Sequence, residues 1–211
     1  MNTGPKTTSS KFDDDPEVLE IKKQLVSSND NSQEEKDFFA LKIEVRKVKK
    51  GTLLLKQGQF IRASYHLFKG CIREFYYKDG EEKTVEFYTA GESLTDDSNK
   101  LTQVPSAVNW ECVCDCIISV FTFEVEREMY QRFPRLESLC RKGIEKEYSQ
   151  YKKAVNQYLS SSPVERYQNL LHTKPELFQL VPLYQIASYL GVKPESLSRI
   201  RNRLRSSRSL K

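Results

Sequence analysis

Side chains able to read and hold a polyanion cluster near the C-terminal end of this 211-residue chain. Glu195, Ser198 and Arg199 are three and one residues apart, a spacing that places them on one face of a helix. A guanidinium donates hydrogen bonds in a fixed fork, and a carboxylate accepts them from an amino group. Such groups match the donor and acceptor edges of bases in the DNA major groove. The neighbouring residues suited to phosphate contacts are Lys193, Ser196, Arg201, Arg203 and Arg205.

Two short helices joined by a tight turn are predicted to position these side chains. Pro182 and Pro194 suit first helical positions, and Gly191 can take the positive φ that a sharp turn requires. The apolar residues at helical spacing are Leu183, Ile186, Ala187 and Leu190 before the turn, and Leu197, Ile200 and Leu204 after it. This pattern is typical of a helix-turn-helix.

The positive charge of the chain is concentrated in the same region. Residues 162–211 hold nine Lys or Arg and three Asp or Glu, a net charge of +6. The rest of the chain holds 25 basic and 26 acidic residues, a net charge of −1. A local basic excess attracts DNA phosphates, so double-stranded DNA is the predicted partner. The alternative is an amphipathic helix pair with a solvated basic face, in which Glu195 only complements its own helix dipole.

Composition narrows the class of protein. With 38% hydrophobic and 30% charged residues, the chain is expected to be soluble and to form hydrophobic cores. It contains no apolar run of membrane-spanning length, and its N-terminus lacks the apolar stretch of a secretory signal. Five cysteines, an odd number, suit a reducing compartment. We therefore expect a cytoplasmic protein without membrane partners, and no cofactor is indicated.

The central region is predicted to be an antiparallel β-roll or jelly roll. Between residues 44 and 124, short β-rich runs alternate with glycines at intervals of seven to twelve residues. The Lys78-Asp79-Gly80 turn is a hairpin signal. Residues 1–16 are polar and are expected to form a disordered arm. The sensor-like domain then covers residues 17–124, including N-terminal helices, one of which begins with a capping box at Ser32 and Glu35.

A long helix is predicted after Pro134. Apolar residues continue at spacings of three and four as far as Leu159, so the stripe needs a partner surface. Parallel pairing with a second copy through residues 134–159 is the favoured interpretation, and packing on the chain's own β-domain is the alternative. Residues 125–160 are assigned to a linker and this dimerisation helix. A second capping box at Ser162 and Glu165 opens the helix-turn-helix domain, residues 161–211.

This order of elements, an α+β architecture, resembles the Crp/Fnr family of bacterial transcription regulators over roughly residues 17–205. The most specific segment is PESLSRIR at 194–201, supported by KKGTLLLKQGQ, FKGCIREFYY and SPVERYQNLL. The resemblance implies a cyclic-nucleotide-binding-like β-roll, homodimers on palindromic promoter sites and contact with RNA polymerase. It implies that Glu195 accepts from cytosine, that Arg199 donates to guanine or a phosphate, and that Ser198 reaches a thymine or a phosphate. The family usually continues into a two-stranded wing, whereas this sequence stops at Lys211, so the presence of a wing stays open.

The same resemblance indicates where a cyclic nucleotide would bind as effector. In the cyclic-AMP-binding members, an Arg neutralises the phosphate shortly after a Gly-Glu pair, which corresponds here to Gly91 and Glu92. Residues 93–111 contain no Arg; Lys100 is their only cation, and Asp96 and Asp97 add negative charge. A phosphate would be poorly compensated there. We therefore expect no useful affinity for cyclic AMP, leave the effector unknown, and assign Glu92 to a structural turn in preference to a ligand contact.

Cysteine and histidine offer weaker signals. On one extended strand, successive residues among Cys112, Cys114 and Cys116 would lie about 7 Å apart, too far for one tetrahedral zinc unless Asp115 supplies a bend. A redox role stays open. Two histidines, His66 and His172, argue against haem and against a metal-dependent β-roll enzyme. Two alternatives to a DNA-binding regulator remain: a receptor that signals through protein contacts and, less favoured, a β-roll enzyme.

Overall fold

The computed structural model describes residues 15–27, 30–95 and 104–208. Two helices, a β-rich region and a further run of helices follow one another along the chain. The first helices are α1 (Pro16–Val26) and α2 (Gln33–Lys42). The strands are β1 (Glu44–Val48), β2 (Leu53–Leu55), β3 (Ala63–Lys69), β4 (Cys71–Lys78), β5 (Glu81–Thr89), β6 (Ser93–Leu94), β7 (Asn109–Cys112) and β8 (Cys116–Thr122). The later helices are α3 (Phe123–Arg132), α4 (Pro134–Ser160), α5 (Pro163–Thr173), α6 (Leu177–Leu180), α7 (Leu183–Tyr189) and α8 (Pro194–Arg208).

The strands form two four-stranded antiparallel sheets, in the orders β1-β8-β3-β6 and β2-β7-β4-β5. Apolar side chains from both sheets meet in one core, which includes Leu67, Ile72, Trp110 and Ile118, each at most 1% exposed. The predicted hairpin is confirmed: Lys78 pairs with Glu81, and the two residues between them have positive φ. A β-roll of the predicted class is therefore present.

The N-terminal helices lie against different parts of the molecule. α1 packs Val18 onto Val45 of β1 and Ile117 of β8. α2 packs Phe38 into a cluster with residues of α3 and of the start of α4. An ion pair reinforces that contact, because Arg135 of α4 donates to both carboxylate oxygens of Glu35, at 2.9 and 2.7 Å. The second helix is thus joined to the long helix, whereas the first is joined to the sheet.

The long helix α4 has 27 residues, and its apolar stripe is largely exposed in the single chain. Only Leu136, near its beginning, is buried. The side chains exposed by 48–76% are Leu139, Ile144, Tyr148, Tyr151 and Leu159. The chain's own β-domain does not cover them.

The C-terminal helices share a core with the outer face of the β2-β7-β4-β5 sheet. Phe87 of β5 and Cys71 of β4 are fully buried in this cluster, together with Leu177, Ile186 and Leu197. α7 contacts β5 directly. The two parts of the molecule are therefore in apolar contact in this arrangement.

Three sequence interpretations need correction, and others lie outside the described residues. Cys112, Cys114 and Cys116 do not share one extended strand, because a turn at residues 113–115 separates β7 from β8. Asp115, the residue considered for a bend, stabilises this turn by accepting from the Lys50 amide and the Lys49 ammonium. Leu183, expected on the buried face, is 36% exposed, since it lies at the rim of the first turn of α7. The predictions outside the described residues concern positions 1–14 of the arm expected at 1–16, Asp96, Asp97, Lys100 and the question of a wing after Arg208. The last two residues of that arm are ordered instead, because Asp15 is the N-cap of α1 and Pro16 is its first residue. Among the described residues, no helix combines the length and apolar composition needed to cross a membrane.

Candidate nucleic-acid interface

The two helices α7 and α8 and the four residues between them form the candidate interface. The turn requires Gly191, whose φ is +68° and whose amide donates to the Ser188 carbonyl. The next amide, of Val192, donates to the Ala187 carbonyl. Ala187 and Leu197, at most 1% exposed, belong to the same core, so the helices cross closely. Burial of one face of α8 leaves its other face toward solvent.

The three predicted base-reading residues share that solvent face. Glu195, Ser198 and Arg199 are all exposed, and their spacing keeps them together on the helix surface. Glu195 lies in the first turn of α8, where a carboxylate also complements the helix dipole. The Ser198 hydroxyl donates to the Pro194 carbonyl at 3.1 Å, and its oxygen keeps acceptor capacity. The structure thus brings these three groups together on one surface.

The predicted phosphate-contacting residues extend the same surface. Lys193 and Ser196 are exposed at the beginning of α8, as are Arg203 and Arg205 further along it. Arg201 differs, because it is half-buried on the side of the helix nearer the core. Four arginines occur between positions 199 and 205, and no acidic residue lies in that stretch. The surface is therefore strongly basic beyond its first turn.

Glu92, the residue considered for an effector, is engaged within the protein. Its carboxylate accepts from the Thr89 amide at 2.6 Å and from the Thr89 hydroxyl at 3.0 Å. Both of its oxygens also lie 3.0 Å from the Lys174 ammonium. These contacts give Glu92 a structural role at its turn.

Lys174 is a residue that the sequence did not single out. It caps the end of α5, and its ammonium donates to the Phe87 carbonyl at 2.6 Å as well as to Glu92. It also lies 3.6 Å from Glu86, whose pKa is raised by burial and lowered in part by this ammonium. One lysine thus joins the C-terminal helices to the β-roll. The local sequence carries no signal of it, since its partners lie more than eighty residues away.

Two further polar contacts join α7 to β5. The Thr84 amide donates to the Ser188 hydroxyl at 3.0 Å, and the Tyr189 hydroxyl donates to Glu86 at 3.4 Å. The Gln185 carbonyl oxygen and the Thr84 hydroxyl are buried without a hydrogen-bond partner. Buried polar atoms without partners are costly, so these two atoms weaken the interface.

The cysteines do not form a metal site in this arrangement. Among the residues that the structure describes, no group of three or more His, Cys, Asp or Glu could hold a metal ion. The Cys116 thiol donates to backbone carbonyls of Cys71 and Cys114. Its hydrogen bond with Cys112, together with burial, raises the pKa of Cys116 well above its ordinary value. Burial also raises the pKa of Cys71 and of Cys114. Thiols held protonated are poor nucleophiles and poor metal ligands.

The two histidines have different surroundings in the structure. His66 is half-buried in β3, where its Nδ1 lies 3.0 Å from the Ser93 hydroxyl and its ring contacts Phe68. Burial lowers the pKa of His66, so its ring is neutral at pH 7. His172 is exposed in the last turn of α5. They belong to different elements and show no common ligand geometry.

Comparison with known proteins identifies the fold. No model of a known protein family matches the sequence, and no curated protein sequence matches it. A candidate transcriptional regulator of the Crp/Fnr family from Eubacterium rectale is similar in structure, with a TM-score of 0.65 and 16% identity over 85% of this chain and 86% of its own. The c-di-GMP-responsive regulator CLP of Xanthomonas campestris has a TM-score of 0.62 and 15% identity over 81% and 90%. A candidate cAMP-binding regulatory protein of Silicibacter pomeroyi has a TM-score of 0.56 and 26% identity over 83% and 81%.

Proposed function

We propose that this chain, which has a Crp/Fnr-like fold, is a sequence-specific DNA-binding transcription regulator and not an enzyme. The single observation that carries the proposal is the exposed edge of α8 formed by Glu195, Ser198 and Arg199. A recognition helix of this kind enters the major groove with its N-terminal residues against the bases. In this proposal residues 161–211 form the DNA-binding domain, residues 125–160 the linker and dimerisation helix, and residues 17–124 the sensor-like domain.

Each side chain of the exposed edge has a role that suits its chemistry. Glu195 accepts from the amino group of a cytosine, and Arg199 donates to the O6 and N7 atoms of a guanine or to a phosphate. Ser198 reaches a thymine or a phosphate. Five neighbours hold phosphates and so fix the register without reading sequence: Lys193, Ser196, Arg201, Arg203 and Arg205.

The exposed stripe of α4 supports a homodimer. Tyr148 and Tyr151 are 67% and 65% exposed near the middle of a 27-residue helix, and a second copy of the same helix would cover them. A two-fold dimer presents two copies of α8, so its binding site is an inverted repeat. A regulator of this type works on promoters in the cytoplasm, with RNA polymerase as a further partner.

The effector of the proposed regulator is not cyclic AMP. Lys174 and the turn at Thr89 already occupy the Glu92 carboxylate, which supports the expectation from the missing arginine. Calorimetric titration of the protein with cyclic AMP tests directly whether cyclic AMP binds. Heat of binding with a dissociation constant in the micromolar range would contradict it.

Selection of bound sequences from a random pool of duplex DNA tests the function. The expected result is an inverted repeat whose half-sites are one helical turn apart, about 34 Å. Arg199→Ala is then expected to weaken binding to the selected site by about 1–3 kcal/mol per half-site and to relax the preference at one base pair. Arg62→Ala, at an exposed position in the β-domain, is the matched control and should leave the affinity unchanged.

The same experiment separates this function from its alternatives. If the full chain retards no duplex at low ionic strength, the basic surface of α8 is only a solvated helix face. A receptor that acts through protein contacts would give that result. If Arg199→Ala and Arg62→Ala behave alike on a selected site, Arg199 does not read bases.

A further inference from the structure

A groove runs between α1 and α2 and ends over the beginning of β1. Its volume is about 540 Å³, which lies in the range of small-molecule sites. The apolar residues that line it are Leu19, Leu25, Phe39, Ala40, Ile43 and Val45. Val45 is 1% exposed, whereas Leu19 is 41% exposed, so the groove has a closed floor and an open rim. It lies apart from both α8 and the β-roll interior.

The charged side chains that line the groove are all basic. They are Lys22, Lys23 and Lys36, and the lining contains no Asp or Glu. Three acidic residues of the two helices are paired away from the groove: Glu17 with Lys47 and Lys69, and Glu34 and Glu35 with arginines of α3 and α4. The other two, Glu20 and Asp37, accept hydrogen bonds from Gln24 and Gln33 of their own helices. Among the described residues, neither Lys23 nor Lys36 has an ion-pair partner. A lysine can extend its alkyl stem along an apolar wall while its ammonium stays at the rim.

This combination selects a ligand with one anionic end and one apolar end. Apart from the lysines, only Ser27 and Gln33 offer polar side chains. A nucleotide or sugar would leave many hydrogen-bonding groups without partners on such a wall. The groove follows α1 from Leu19 to Ser27, a rise of about 12 Å, which favours an extended chain over a compact ring system.

We propose that this groove binds a free fatty acid, with the alkyl chain against Leu25, Phe39 and Ile43 and the carboxylate between Lys23 and Lys36. Ammonium groups act as mobile point charges, so they can follow a carboxylate at the rim without a fixed fork. The site is independent of the proposed DNA-binding surface. It would bind the fatty acid whether or not α8 recognises DNA.

Calorimetric titration of the full chain with dodecanoate, below its micelle concentration, tests the site. We expect one molecule bound per chain. Dodecanol, which has the same alkyl chain and a neutral head, should bind at least about tenfold more weakly, because two ion pairs at an exposed rim are lost. Dodecyltrimethylammonium should show no saturable binding. Equal affinity for dodecanoate and dodecanol would overturn the proposal, as would the absence of binding.

Variants locate the binding within the groove. Lys23→Glu combined with Lys36→Glu should weaken dodecanoate binding more than tenfold, and Ala40→Trp should abolish it by filling the groove. Lys78→Glu, at the exposed end of β4, is the control and should bind as the original chain does. Thermal unfolding of each variant verifies that it is folded. If Lys78→Glu and the double variant bind alike, or if a peptide of residues 1–14 displaces dodecanoate, the fatty acid is not the occupant of this groove.

Discussion

Individual residues of this chain form ion pairs away from the proposed DNA-binding surface, and Glu35 is one of them. The Arg135 guanidinium and the Ser32 amide lower the pKa of the Glu35 carboxyl below its usual value of about 4.5. The carboxyl is 5% exposed, and both of its oxygens accept from Arg135. The charged form is therefore favoured in the folded state, and it strengthens the contact between α2 and α4.

This lowered pKa gives a dependence of stability on pH. The stabilisation is fully present above the unfolded pKa of about 4.5 and is lost as pH falls through the lower folded pKa. Glu35→Gln should therefore reduce the melting temperature at pH 7 and flatten its decline between about pH 5 and pH 3. Differential scanning calorimetry over that range measures both. A variant whose decline matches that of the original chain would show that another carboxyl is responsible.

Gly191 is a second residue whose replacement has a calculable effect. A Cβ there would require an L-residue at φ +68° and would lie 3.0 Å from the Tyr158 hydroxyl oxygen. Gly191→Ala should cost about 1–2 kcal/mol of unfolding free energy, measured by urea denaturation. Gly143→Ala is the control of opposite sign: no atom lies within 4 Å of its added Cβ, so it should stabilise α4 by about 0.5–1 kcal/mol.

At the scale of single elements, the sequence predicted most of what the structure contains. Both capping boxes, Ser32 with Glu35 and Ser162 with Glu165, are confirmed by reciprocal hydrogen bonds. The Asp79-Gly80 hairpin is confirmed as well. These features depend on neighbours within four residues, and so local sequence determines them.

Contacts between distant parts of the chain could not be predicted in this way. Lys174 and Glu92 are 82 residues apart, and neither has a local pattern that marks a partner. The turn that separates Cys112 from Cys116 was only an alternative at the level of sequence, as a bend at Asp115, because the β-propensity of NWECVCDCIISVFTF is continuous. Asp115 interrupts it through contacts with Lys49 and Lys50, which lie more than sixty residues earlier. On α8, sequence spacing was enough to identify which residues share the exposed face, but not that Arg201 is half-buried.

The long helix makes a prediction at the scale of an element. Tyr148 is 67% exposed in the single chain and lies in the stripe proposed to pair with a second copy. Tyr148→Glu would bury an unpaired carboxylate in that pairing and should raise the dimer dissociation constant by at least roughly tenfold. Size-exclusion chromatography with light scattering measures the mass across a dilution series. Gln150→Glu, on the opposite side of α4, should stay dimeric; monomers of the unmodified chain at all concentrations would contradict the pairing.

For the whole molecule, Lys174 links the β-roll to the C-terminal helices. Lys174→Met would leave Glu86 and Glu92 without their shared cation and should cost about 1–2 kcal/mol, discounted because the partners are partly exposed. Hydrogen exchange should then become faster at the Thr84 amide, which donates to Ser188 across the same interface. Lys78→Met is the control. Unchanged exchange at Thr84 would mean that apolar packing alone holds the two parts together.

The attachment of α2 to α4 has one more consequence. α2, which contributes Phe39 and Ala40 to the groove, also carries Glu35. The Glu35 carboxylate accepts hydrogen bonds from Arg135 in the first turn of the 27-residue α4. The C-terminal end of α4 leads through α5 and α6 to α7 and α8, the helices of the proposed DNA-binding surface. An occupant that tilts α2 against α1 would also tilt the first turn of α4. A small tilt there becomes a displacement of several ångströms at the other end of the helix, about 40 Å away. Binding in the groove would thus be transmitted to the C-terminal helices by a route outside the β-roll.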